Sequence, residues 1–109
     1  MIVPLPFLLL EPWLSVSGDE CLMLEAELLK EMRDDHVLAR ISCTAVARRC
    51  DCDDVLFITD FPKGLLAIVH LTWSGHPDQY AQWPHTTFFD SWEAFEKEEM
   101  LPEHEGWKV

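Results

Sequence analysis

The chain has 109 residues, the size of one domain, and its 49% apolar content with five Trp, six Phe and one Tyr is enough for a packed core. Eight Lys and Arg stand against twenty Asp and Glu, a formal charge of −12. That balance disfavours nucleic acid and anionic membranes, whose own negative charge needs neutralising, and favours a basic partner, or simply solubility.

The first eighteen residues, MIVPLPFLLLEPWLSVSG, are apolar but lack the positive start of a targeting signal. They are broken by Pro4, Pro6 and Glu11 and are too short to span a bilayer. The segment reads as an extended arm, residues 1–18 of a single domain over 1–109. From Gly18-Asp19 to about Arg33 the pattern is helical, with Cys21, Leu24, Leu28, Leu29 and Met32 at the spacing of one buried face and Asp19 and Glu20 at the positive end of the helix dipole. Asp34, Asp35 and His36 close it.

Cys43–Arg49 and Val55–Thr59 read as strands joined by the polar turn Cys50–Asp54, an antiparallel hairpin. Asp60–Gly64 is a second turn, with Pro62 and Gly64 supplying its backbone angles. Leu65–Trp73 is the clearest strand. One face carries Leu65, Ala67, Val69, Leu71 and Trp73; the other starts apolar with Leu66 and Ile68 and ends polar with His70 and Thr72. Thr86–Phe89 adds a short fourth strand. Asp90 caps a second helix with Glu93 at its third position, and Leu101-Pro102 ends it near Met100. Trp92, Phe95 and Met100 share a packing face, Glu93, Glu96, Glu98 and Glu99 face water, and Trp107 docks the tail. The expected fold is α+β: a three- to four-stranded antiparallel sheet with two helices packed on one face.

The stretch between residues 65 and 100 holds three of five Trp, three of five His and the only Tyr. His70, Thr72, Trp73, His76, Trp83 and His85 are the candidate binding residues. Indole and phenol rings give large contact area at little entropic cost, and hydroxyl and imidazole groups orient a partner. Three imidazoles near Asp78 and Asp90 also suggest a metal, but their spacing fits no zinc pattern. Cys50-x-Cys52 is a poor zinc half-site, and flanking acids disfavour its thiolates. Four cysteines in a chain with an aliphatic core suit a reducing compartment. No phosphate loop, dinucleotide fingerprint or nucleophile elbow is present, so no catalytic residue, metal or cofactor is assigned.

Val69-His70-Leu71-Thr72-Trp73, Trp83-Pro84 with Thr86, Phe89 and Ser91-Trp92-Glu93 resemble a group of small uncharacterised bacterial proteins with an HLTW strand, a WP-x-T loop and an SWE helix start, a domain of unknown function. The likeness covers the second half of the chain and excludes Met1–Ser17. It implies a bacterial, cytoplasmic, stand-alone domain and carries over no catalytic residue. The expectation is a small acidic binding protein, an immunity- or inhibitor-like module for a basic protein partner. The alternatives are a metal-dependent or hydrolytic enzyme using His70, His76 and His85, and a homodimer formed through an exposed sheet face or edge.

Overall fold

A computed structural model describes residues 9–60 and 66–107. Its centre is a five-stranded antiparallel sheet in sequence order: β1 Trp13–Ser15, β2 Cys43–Arg49, β3 Asp54–Thr59, β4 Leu66–His70 and β5 Thr86–Phe89. Helix α1, Asp19–Glu31, lies between β1 and β2. After β5 come α2 (Trp92–Phe95), a π turn (Glu96–Met100) and α3 (Leu101–Trp107). The α+β class and the antiparallel sheet agree with the sequence reading.

The fifth strand comes from the expected arm. Trp13 pairs with Arg49 and Ser15 with Ala47, while Cys50 N–H donates to the Pro12 carbonyl at 2.8 Å. The earlier arm residues 1–8 and most of the expected 60–64 turn, with Leu65, lie outside the described residues.

The helices do not share a face. On β3, Val55 and Phe57 join Leu24 and Leu28 of α1 in one core; Leu56 joins Trp92, Phe95 and Met100 in another. Alternate residues of a strand point to opposite faces, so α1 and the C-terminal helix cover the sheet from two sides. The unbroken apolar run of β4 follows from this: Leu66 and Ile68 belong to the C-terminal core, Val69 and the following Leu71 to the α1 core. On β2 the switch of sides is made by a bulge. Ala45 and Ala47 oppose neighbouring residues Phe57 and Leu56, leaving Val46 as the extra residue. Ala45 then packs toward α1 and Ala47 toward the C-terminal helix.

α1 ends two residues before the expected Arg33. Met32 turns extended (φ −85°, ψ 131°) while its N–H still donates to Leu28 O. Ser91, not Asp90, caps α2: its side chain accepts from Ala94 N–H at 3.1 Å. Pro102 does not stop the helix. The π turn before it, with Leu101 N–H donating to Glu96 O, widens the ladder where proline has no N–H to give. Trp107 is exposed, so the tail is helical but not docked by that ring.

Candidate functional site

α1 buries two carboxyls in its apolar face: Glu27 and Glu31 lie beside Leu24 and Leu28. A buried carboxyl needs partners, and these come from the loop that leaves β4. Glu31 Oε1 accepts from Thr72 N–H at 2.8 Å and Thr72 Oγ1–H at 2.9 Å; Oε2 accepts from Trp73 N–H at 2.8 Å. Glu27 Oε2 accepts from Gly75 N–H at 3.0 Å. Successive backbone N–H groups converging on one carboxyl make an anion cradle closed by the protein's own side chain. Trp73 sits there at φ +59°, a conformation that costs a non-glycine residue about 1 kcal/mol, which the bonds to Glu31 offset.

The two carboxyls, one helical turn apart, also bond each other. Burial raises the Glu31 pKa, with Glu27 adding to the rise; the hydrogen bond from Glu31 holds Glu27 low.

Two further contacts hold the far side of the loop. Buried His36 accepts from Leu38 N–H at Nδ1 (3.0 Å), which leaves Nε2 to donate to the Pro84 carbonyl (2.9 Å) and fixes the tautomer. Arg33 donates to the Gln79 carbonyl and pairs with Asp35 at 3.0 Å. Loop residues bond one another as well: Ser74 Oγ–H donates to His76 O at 2.8 Å and Trp83 N–H to Tyr80 O at 3.2 Å. The backbone is fixed while the rings stay outside: Trp73 is 44% exposed, Tyr80 55% and Trp83 39%.

Thr72 and Trp73 lie beyond β4, which ends at His70. Trp83 and His85 are neighbours, with ring centroids 6.2 Å apart, and His85 O accepts from His70 N–H at 3.0 Å. The imidazoles have separate tasks. His70 Nδ1 is 2.7 Å from Asp54 Oδ1, and His76 Nδ1 bonds Pro77 O at 3.0 Å. Among the described residues no three His, Cys, Asp or Glu side chains come together to hold a metal ion.

Glu27, Glu31, His36 and Arg33 hold the loop, and the residue pattern does not single them out. A fifth polar group was expected in water and is not. Glu99 is partly buried against Glu103, whose Oε1 accepts from Trp13 Nε1–H at 2.6 Å and whose Oε2 accepts from Arg49 at 2.7 Å. Burial first, then the hydrogen bond to Glu103, pushes the Glu99 pKa up to about 7. Arg49 also pairs with Asp51 at 2.7 Å, and Asp54 stands close enough to add to the rise at Glu99.

A folded pKa above the unfolded value means stability that is complete below about pH 4.5 and lost as pH rises through about 7. Solvent screening of a partly exposed group reduces the effect to about 1–2 kcal/mol. Urea unfolding at about pH 5 and about pH 8 is expected to show that loss in the wild type. Glu99→Gln, which keeps a donor toward Glu103, is expected to remove most of it; an unchanged slope in the variant would assign the pH dependence elsewhere.

No protein-family model, curated protein or solved structure matches this chain.

Proposed function

We propose that this protein is a binding module for a protein with a basic surface, in the manner of an immunity or inhibitor protein, and that it binds through the loop from Thr72 to His85. The observation that carries this reading is the division of labour in the loop. Its backbone is tied to buried Glu27, Glu31 and His36, while Trp73, Tyr80 and Trp83 remain exposed. A pre-ordered loop spares a partner the entropy of fixing it, and exposed aromatic rings are the side chains that anchor interfaces. The charge of −12 supplies long-range attraction to a cationic surface. Four free cysteines suit a reducing compartment, so we assign the module to the cytoplasm. No helix among the described residues is long and apolar enough to cross a membrane.

The test is affinity capture with immobilised wild-type chain and with Trp83→Ala in parallel, followed by stopped-flow association with the captured protein. The expected partner is basic, and Trp83→Ala weakens its binding by tenfold or more, as loss of an interface anchor does. The association rate is expected to fall at least several-fold between low and high salt, because steering is screened. A partner that binds Trp83→Ala as tightly, or associates at a rate indifferent to salt, would remove this reading.

A further inference from the structure

No side chain of α3 is buried. A seven-residue helix is too short to hold its shape in water by itself, so α3 depends on what ties it to the sheet. Glu103 ties it with both oxygens: Oε1 accepts from Trp13 Nε1–H at 2.6 Å and Oε2 from Arg49 Nη1–H at 2.7 Å. His104 adds a second tie, its Nδ1–H donating to Glu11 O at 2.7 Å. Under this helix the sheet lays out one polar row. Trp13 pairs with Arg49, the Arg48–Val55 pair sets Arg49 opposite Asp54, and Asp54 pairs with His70. Side chains alternate along a strand, so these four share the face of Ala47, Leu56 and Ile68, which the C-terminal helix covers. Glu99 lies over this row, four residues before Glu103, partly buried and hydrogen-bonded to it.

The charges around Glu99 do not balance. Arg49 of β2 faces it, but that guanidinium is already engaged by Glu103 and by Asp51 of the following turn. The Cys52 thiol of the same turn is shifted further toward its neutral form by burial. Asp54 of β3 faces Glu99 as a like charge and is engaged at 2.7 Å by His70 of β4. Trp13 of β1 brings an uncharged indole, His104 of α3 is bonded to Glu11 O, and Lys97 on the turn of Glu99 itself is exposed. A second carboxylate beside Glu103 has no uncommitted cation to pair with among these groups, so Glu99 fits there only while it carries a proton. We propose that Glu99 is a proton-operated latch for α3: protonated, it lies against Glu103 and the helix stays docked; ionised, it drives Glu103 off Trp13 and Arg49 and the helix leaves the sheet.

Burial decides which element gives way. The Trp13 ring is 1% exposed and packs edge-on against Phe95, so β1 stays in place. α3 has no such anchor. Water then takes the place of Glu103 at Trp13 Nε1 and at Arg49. Burial first, then Glu103, pushes the Glu99 pKa up to about 7, so the latch turns over at neutral pH. The docked state holds the proton more tightly than the undocked one, so docking is favoured below that pH and lost above it. The latch needs no partner protein, and it stands or falls apart from the binding reading.

NMR of the full chain across neutral pH tests this. In the wild type the Trp13 indole N–H resonance is expected to move with a midpoint at about pH 7. Amide protection factors over residues 103–107 are expected to fall by roughly tenfold across the same transition, the factor that one pKa unit represents, while those of β2 and β3 hold. Glu99→Gln cannot ionise and still donates to Glu103, so its Trp13 resonance and its α3 protection are expected to stay constant over the whole range. Glu98→Gln removes a charge from the exposed neighbouring residue and is expected to titrate as the wild type does. A Trp13 resonance indifferent to pH, a Glu99→Gln chain that titrates like wild type, or α3 amides that stay protected above the transition would overturn the proposal.

Discussion

Glu31→Ala is expected to destabilise the protein by about 2–3 kcal/mol, although Glu31 sits inside a helix where alanine is intrinsically preferred. The side chain carries three bonds to the loop, from Thr72 N–H, Thr72 Oγ1–H and Trp73 N–H. Alanine removes all three and leaves Trp73 in its left-handed conformation with nothing to offset the strain. It also takes a side-chain hydrogen bond from buried Glu27, which then keeps Gly75 N–H as its loop donor. Released loop N–H groups are hydrated, which keeps the loss below the sum of the separate bonds. Glu31→Gln retains an acceptor for Thr72 and a donor for Glu27, and is expected to cost about 1 kcal/mol. Urea midpoints measure both variants, and amide exchange at Thr72, Trp73 and Gly75 should accelerate in Glu31→Ala beyond the change in global stability. Affinity for the proposed basic partner should fall as well, because the loop must then be ordered on binding. Unchanged exchange at those amides would mean that the carboxyl pair does not hold the loop.

The reason this clamp was hard to read in the sequence is that acids four residues apart on a helix usually face solvent. A signal was present: Leu24, Glu27, Leu28 and Glu31 form one continuous stripe, and the two glutamates fall inside the arc that the leucines bury. Periodicity found the leucines, and with them the helix; it does not say what polar groups in the same arc will bond to, since their partners come forty residues later. Strand β1 was missed for a related reason. Trp13–Ser15 is three residues long behind a proline, and its strand character comes from pairing with Arg49, Arg48 and Ala47. The hairpin of β2 and β3 and the short strand β5 were legible because each has a local apolar pattern and a turn beside it. The placement of helices on both faces was legible in principle. Leu66–Val69 is apolar at every position, the mark of a strand covered on two sides rather than one. Of the candidate residues, Trp73 and Trp83 are exposed on the loop, while His70 and His76 are engaged with Asp54 and a backbone carbonyl.

Phe95→Ala is expected to cost more than any loop substitution, about 3–5 kcal/mol, from lost burial and the cavity left behind. Phe95 is fully buried and meets Trp13 edge-on at 5.2 Å, Phe89 edge-on at 5.8 Å and Trp92 at 5.2 Å. These rings come from β1, β5 and α2, so one side chain joins both edge strands to the C-terminal helix. For a domain whose whole stability is about 5–15 kcal/mol, the loss takes about a fifth of it or more. The milder Phe95→Leu keeps most of the apolar volume and allows a sharper test. The C-terminal core and the α1 core lie on opposite faces of the sheet, with the Glu27–Glu31 clamp on the α1 side. Phe95→Leu should therefore lower the urea midpoint without selectively accelerating exchange at Thr72 and Trp73. Combined with Glu31→Gln, the two losses should add to within about 0.5 kcal/mol, as they do for sites with no shared partners. A strongly non-additive pair would mean that the sheet transmits strain between its faces, and that the aromatic cluster under the C-terminal helix also sets the geometry of the loop from Thr72 to His85.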